Sequence, residues 1–273
     1  MSLLRVKDLH IKDIKNNKDI VSGVDFDLKK NTCLGIVGES GSGKSIMVKG
    51  ILGITSKTIN VSGSVLFDNN IDLLNIKHNE LRKIRGQRIC MILQDPMSSF
   101  NPLYTIGYQM IETIRENKGL SKKEAEIVSI EALNQMAIYE PKQVIKKYPH
   151  QLSGGMLQRC IIGLAMSMEP DIIIADEPTT ALDSINQKEV IESFKRLIES
   201  KKTSVIFISH DLGIVKYLAQ SVLVMKDGVA VEYGKIKDIF KSPKHEYTKY
   251  LVNTSIELTK SFNEAMNIEE KAI

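Results

Sequence analysis

The stretch Gly38-Glu39-Ser40-Gly41-Ser42-Gly43-Lys44-Ser45 reads as a complete phosphate-binding loop, and its flanks suit that work. Ahead of it, Cys33-Leu34-Gly35-Ile36-Val37 is short, apolar and β-favouring, which predicts a buried strand. Behind it, Ile46-Met47-Val48-Lys49-Gly50-Ile51-Leu52 continues as a helix. The glycines let successive backbone N–H groups turn inward around phosphate oxygens, and the helix start adds a favourable dipole. Lys44 supplies a point charge for β- and γ-phosphates, and the Ser45 hydroxyl can ligate Mg²⁺. A chance glycine-rich turn would not bring both a strand and a helix into register. The stretch therefore predicts a nucleoside triphosphate site.

Working outward, Val24-Asp25-Phe26-Asp27-Leu28 alternates with period two, as a half-exposed antiparallel strand does. Gly63 to Asp68 reads as a similar strand ending in an Asn69-Asn70 turn. Arg88-Ile89-Cys90-Met91-Ile92-Leu93 is apolar after Arg88, which predicts burial on both faces. From about Tyr104 to Met168 the strand signals vanish. Ile127, Ile130 and Leu133 recur at helical spacing, and Met156 to Met168 is a further helix. Strands return at Ile172-Ile173-Ile174-Ala175 and Ser204 to Ile208, with a helix from about Gln187 to Lys201 between them. That rhythm implies a parallel sheet in an α/β fold. Ser221–Met225 and Val229–Tyr233, joined by Lys226-Asp227-Gly228, form a hairpin or strand pair. From about Ile256 the tail reads as a marginal helix or a frayed end.

The whole chain sets limits on function. Its 273 residues allow one large domain or one domain with an insertion. Content of 42% hydrophobic and 26% charged residues supports a sizeable core. No apolar run is long enough to span a bilayer, and no signal-peptide pattern opens the chain, so a cytoplasmic protein is expected. The net charge of +4 is dispersed as isolated lysine pairs, which read as solvated faces and predict no nucleic-acid partner. Cys33, Cys90 and Cys160 are far apart in apolar surroundings, so reduced buried thiols are expected.

Asp176 and Glu177 end the apolar run that starts at Ile172. Neighbours on a strand point to opposite sides, so the two acids can take different roles. Asp176 suits the Mg²⁺ shell, and Glu177 suits polarising the water that attacks phosphorus. Leu152-Ser153-Gly154-Gly155-Met156-Leu157-Gln158-Arg159 places a hydroxyl and two glycines at a helix start, a second phosphate-binding surface. An ordinary N-cap would explain Ser153 alone. In this order and company the segment resembles the signature sequence of ABC-family ATPases, with Met156 where many relatives carry glutamine. Gln94 resembles that family's Q-loop glutamine, Ala181-Leu182-Asp183 its D-loop, and His210 its switch histidine. The resemblance covers roughly Leu4 to Tyr233.

The resemblance implies an ABC ATPase domain over 1–255, with a helical insertion at about 97–168 and a tail at 256–273. It implies a mixed or parallel core sheet and an N-terminal antiparallel β subdomain. It also implies ATP and Mg²⁺ as cofactors, with ATP held between the P-loop of one subunit and Ser153, Gly154 and Gly155 of another. Asp183 would sit at the same junction. Ser45, Gln94 and Asp176 would serve Mg²⁺, while Glu177, His210 and Gln94 would carry catalysis. Such domains stack adenine on an aromatic near the position of Ile14, yet His10 is the only aromatic between Met1 and Asp25. Base recognition by apolar packing is expected instead.

Gln94-Asp95-Pro96-Met97-Ser98-Ser99-Phe100-Asn101-Pro102-Leu103 resembles the Q-loop extension of the peptide/nickel importer family. Pro243-Lys244-His245-Glu246-Tyr247-Thr248-Lys249-Tyr250-Leu251 is similar to that family's C-terminal element, with Glu246 replacing a proline. Within it, Ser153 to Arg159 resembles the nickel-type first ATPase, and the chain stops soon after the C-terminal element. Nickel or metal-chelate uptake is the leading cargo and dipeptides or oligopeptides the second. The expected partners are a second ABC ATPase (a sister chain, or alternatively another copy), two permeases reached through coupling helices, and an external binding protein. Such a chain works at the cytoplasmic face of the membrane. Competing classes are a DNA-repair ATPase, disfavoured by the absence of sustained heptads, and a non-hydrolysing nucleotide sensor, disfavoured by intact Lys44, Ser153, Glu177 and His210.

Overall fold

The computed structural model describes residues 2–180 and 182–265. Two long strands open it, β1 (Ser2–Asp13) and β2 (Lys18–Lys29). β3 (Cys33–Val37) runs into the glycine-rich loop, and α1 (Lys44–Ile51) leaves it. β4 (Ile59–Phe67), β5 (Ile71–Asp72), α2 (His78–Ile84) and β6 (Ile89–Ile92) follow. A helical interval then comprises α3 (Pro96–Ser99), α4 (Ile106–Lys118), α5 (Lys122–Gln135), α6 (Pro141–Val144) and α7 (Gly154–Ser167). β7 (Ile172–Asp176), α8 (Ser184–Glu199), β8 (Ser204–Ser209) and α9 (Leu212–Leu218) alternate regularly. The hairpin β9 (Ser221–Lys226) and β10 (Val229–Lys235) leads to α10 (Ile236–Lys241) and α11 (Glu246–Ala265).

Two sheets result. One is antiparallel, in the order β2-β1-β4-β5. The other runs β10-β9-β3-β8-β7-β6, with parallel pairing from β9 to β6 and only β10 antiparallel at its edge. The second sheet separates two hydrophobic cores, which explains its unbroken apolar runs. Ile172, Ile174, Ile206 and Ile208 point into the core shared with β1, β2 and α1. Ile173, Ala175, Val205 and Phe207 alternate with them and point into the helical core. Every strand predicted for this sheet is present. The hairpin turns through Asp227 and Gly228, both at positive φ of 48° and 82°, the pair a tight two-residue connection requires.

Three elements differ from their sequence patterns. Ile89, Cys90 and Ile92 are buried as expected, but Met91 is half-buried because β6 is the last strand of its sheet. On α5, Ile127 is 64% exposed, and the buried face is Ala125, Ser129, Ala132 and Leu133. Small residues win there because α5 lies close against α7: a Cβ placed on Gly163 would meet Ala132 O at 2.8 Å. Of the three apolar residues at helical spacing, Leu133 is buried and Ile130 packs against the core, and only Ile127 falls outside that face. Lastly, the boundary expected near Ile256 is absent: α11 passes through it and continues to Ala265, in keeping with the helical of the two readings of the tail. The remainder of the expected tail, 266–273, lies outside the described residues, as does Ala181.

Candidate nucleotide-binding site

The loop between β3 and α1 is wedged between two neighbours. Gly228 donates its N–H to Ser42 O at 3.3 Å, and its own carbonyl accepts from Ser22 N at 2.9 Å. A Cβ on Gly38 would meet Met225 O at 2.1 Å, and Gly43 at φ 95° faces Val21 and the Ile20 carbonyl. Glycine is required at both positions by close backbone approach. Lys44 is only 4% exposed. Its ammonium donates to Gly38 O at 2.8 Å and to Glu39 O at 2.7 Å, and touches Ser42 Oγ at 3.4 Å. Burial lowers its pKa, opposed by the charges of Glu177, Asp176 and Glu39. The lysine is therefore pinned under the loop by two carbonyls.

Asp176 ends β7 and is buried; Ser45 Oγ donates to its Oδ1 at 2.8 Å. Desolvation raises the Asp176 carboxyl's pKa, against the Ser45 hydrogen bond and the lysines at positions 44 and 49. Glu177 has already left the strand. It sits at φ 46°, a left-handed conformation that costs a non-glycine residue on the order of 1–3 kcal/mol. Its N–H donates to Ile208 O at 3.1 Å, which holds the turn to β8. The two acids do diverge, through this backbone turn rather than through strand alternation. His210 follows β8 directly, and its Nδ1 lies 3.4 Å from Glu177 Oε2.

One cleft of about 600 Å³ is lined by Glu39, Ser40, Gly41, Gly43, Lys44, Ser45, Gln94, Glu177 and His210, while Gly38, Ser42 and Asp176 do not line it. Glu177 and His210 share it with Lys44 and the glycine-rich loop, a combination able to hold a polyphosphate and polarise a water. The expected residues Ser153, Gly154, Gly155 and Asp183 do not line it. Ser153 caps α7, its Oγ accepting from Met156 N at 3.3 Å. A Cβ on Gly154 would meet nothing within 4 Å, while one on Gly155 would meet Leu182 Cδ2 at 3.2 Å. Asp183 accepts from Asn186 N at 2.9 Å and from Asn186 Nδ2 at 2.5 Å, steadying the start of α8. This second group is an open, polar helix start outside that cleft.

Two cleft features escaped the sequence. Ile14, the position matched to an adenine-stacking aromatic, is 61% exposed on the β1–β2 turn; Ile20 of β2 supplies an apolar wall to the cleft instead. The alternation of β2 carried no hint of which residue meets the loop. Tyr247 of α11 also reaches the loop, bonding Glu39 N at 2.9 Å. Its element stood out in the sequence, but nothing local tied it to a loop some two hundred residues away.

A family model described as ABC transporter matches residues 21–180. The chain is 42% identical over 266 residues to the metal-staphylopine import system ATP-binding protein CntD of Staphylococcus aureus, covering 97% of this chain and 98% of that protein. It is 41% identical over 269 residues to the dipeptide transport ATP-binding protein DppD of Lactococcus lactis subsp. cremoris, covering 97% and 77%. It is also similar to a solved dimer of an ATP-binding cassette in a post-hydrolysis state with ADP and Pi. That likeness has a TM-score of 0.76 and 28% identity, covering 85% of this chain and 98% of the other.

Proposed function

The chain belongs to the ABC transporter family, and on that premise we propose that it is the ATP-hydrolysing subunit of an importer for nickel or other metal chelates. The observation that carries this reading is the convergence of Lys44, Ser45, Gln94, Glu177 and His210 on one cleft. The backbone N–H groups of the glycine-rich loop and the charge of the Lys44 ammonium bind the β- and γ-phosphates. Glu177 orients and polarises the attacking water, and His210 contacts the γ-phosphate, where charge develops.

Ser45, Asp176 and Gln94 fit Mg²⁺. All are hard oxygen donors, and Ser45 Oγ already lies 2.8 Å from Asp176 Oδ1. Bound there with ATP, the ion would neutralise charge on the β- and γ-oxygens. Ser153, Gly154, Gly155 and Asp183 serve the nucleotide of a second ATPase subunit, a sister chain or another copy. The open space beyond Gly154 supports that reading.

A groove of about 270 Å³ between the sheet and the helical interval, lined by residues such as Ile54, Met91, Thr113 and Leu164, supports docking of a permease coupling helix. Beside α3, Leu103 is 78% exposed and the rings of Tyr104 and Tyr108 stack at 4.8 Å, adding apolar surface for the same partner. Among the described residues no helix is long and apolar enough to cross a membrane. Held by two permeases, the chain works at the cytoplasmic face, and an external binding protein delivers cargo.

Identity to the metal-staphylopine relative over 266 residues favours metal chelates. The similar identity to the dipeptide relative keeps peptides as the second reading. Cells expressing the chain together with its permeases and sister ATPase should take up labelled nickel chelate, and should lose that uptake when Lys44 becomes alanine. Uptake of labelled dipeptide in its place would transfer the assignment to peptides.

Base selectivity follows from the cleft wall. Aromatic–base stacking contributes about 1–3 kcal/mol, and Ile20 offers only an aliphatic surface. ATP and GTP dissociation constants should therefore differ by less than about tenfold, or 1.4 kcal/mol. A competition titration showing ATP preferred a hundredfold would rule out recognition by apolar packing alone.

A further inference from the structure

The peptide unit between Gly38 and Glu39 is held at both ends. Its N–H donates to Tyr247 Oη at 2.9 Å, and its carbonyl, Gly38 O, accepts from Lys44 Nζ at 2.8 Å. A peptide is planar, so fixing the N–H direction fixes the carbonyl direction. Glycine, without a Cβ, restricts that plane less than another residue would. Tyr247 supplies an external bond from α11 that helps to set it.

Tyr247 is itself well anchored. It is 6% exposed, and the Lys226 ammonium lies 5.1 Å from its ring centroid. Its N–H donates to His245 Nδ1 at 3.1 Å. The Glu232 carboxylate on β10 accepts from Lys244 N at 3.0 Å and His245 N at 3.1 Å, fastening the start of α11 to the sheet. A phenylalanine would satisfy the packing. The hydroxyl is the part that meets the loop.

We propose that Tyr247 is a positioning residue for ATP binding, acting through the Gly38–Glu39 peptide on Lys44. The proposal rests on the ATPase reading above and deepens it: the C-terminal element typical of this importer subgroup sets the lysine that grips the phosphates. Hydrogen bonds in series polarise one another, so losing the outer one also weakens the inner. Movement of α11 would then be felt at the nucleotide.

Tyr247→Phe removes the hydroxyl and keeps the ring. With the 273-residue chain, a fluorescent ATP titration should show about fivefold weaker binding, the loss of one ordinary hydrogen bond. Turnover at saturating ATP should stay within about twofold, so the effect falls on KM and spares kcat. In a Lys44→Ala background the same substitution should change affinity by less than about 1.5-fold, because the route through the lysine is already gone. Tyr250→Phe, on the exposed side of the same helix, should change nothing. Equal ATP affinity of Tyr247→Phe and the parent, or the same loss in both backgrounds, would overturn the proposal. A parent chain that binds no ATP would overturn the ATPase reading and this one with it.

Discussion

Glu177→Gln should cut ATP turnover by about 100- to 1,000-fold while ATP affinity stays within about threefold of the parent. The substitution is isosteric, so the turn at φ 46° and the bond from Glu177 N to Ile208 O survive. What disappears is the negative charge that faces His210 Nδ1 at 3.4 Å. An amide cannot accept the proton of an attacking water. Binding depends instead on the loop N–H groups, Lys44 and Ser45, and the Ser45–Asp176 contact at 2.8 Å does not involve Glu177. Phosphate release and nucleotide titration on the same preparation separate the two effects. Because ATP persists in the blocked protein, it should also elute as a pair, with itself or with its sister subunit, on gel filtration. Turnover within about fivefold of the parent would remove Glu177 from the role of base.

The strained turn at Glu177 shows what a sequence can and cannot disclose. The run Ile172-Ile173-Ile174-Ala175-Asp176-Glu177 was enough to place a buried strand ending in two acids, because each isoleucine must face one core or the other. It could not disclose that the strand stops one residue early, at Asp176. Local pattern carries period and punctuation. It does not carry the neighbour that captures a backbone N–H, here Ile208 on β8.

The same limit explains the other discrepancies. Ile127, Ile130 and Leu133 advertised a helix, yet Ile127 is left exposed because the face of α5 was chosen by the close approach of Gly163 on α7, some thirty residues on. The apolar wall of the cleft fell to Ile20 because β2 passes beside Gly43 and Gly228, a pairing invisible in β2 itself. By contrast the glycine-rich loop was legible in full. Its chemistry resides in the conformational freedom of glycine and in a lysine six residues from the carbonyl it bonds. Where function is local the residues announce it, and where function is assembled across the fold they do not.

Ser153→Arg should cut transport-coupled hydrolysis in the assembled complex by about 100-fold, without weakening ATP binding to this chain alone. Ser153 and the glycines after it are absent from the cleft that holds Lys44, so a substitution there has no short route to the chain's own nucleotide. The space beyond Gly154 is open, and the Ser153 hydroxyl caps α7 beside N–H groups that a γ-phosphate from outside can reach. An arginine at that position loses the cap and fills the opening with a long cationic side chain. The opposing phosphate can then no longer approach the helix start, although attraction between the charges remains. In a complex with a distinct sister ATPase the damage should fall on the sister's P-loop. Photolabelling with azido-ATP under turnover should therefore show hydrolysis lost at the sister's site first, with this chain's own site still labelled. Loss confined to this chain's P-loop would mean that Ser153 acts within its own subunit, and the paired arrangement would have to be abandoned.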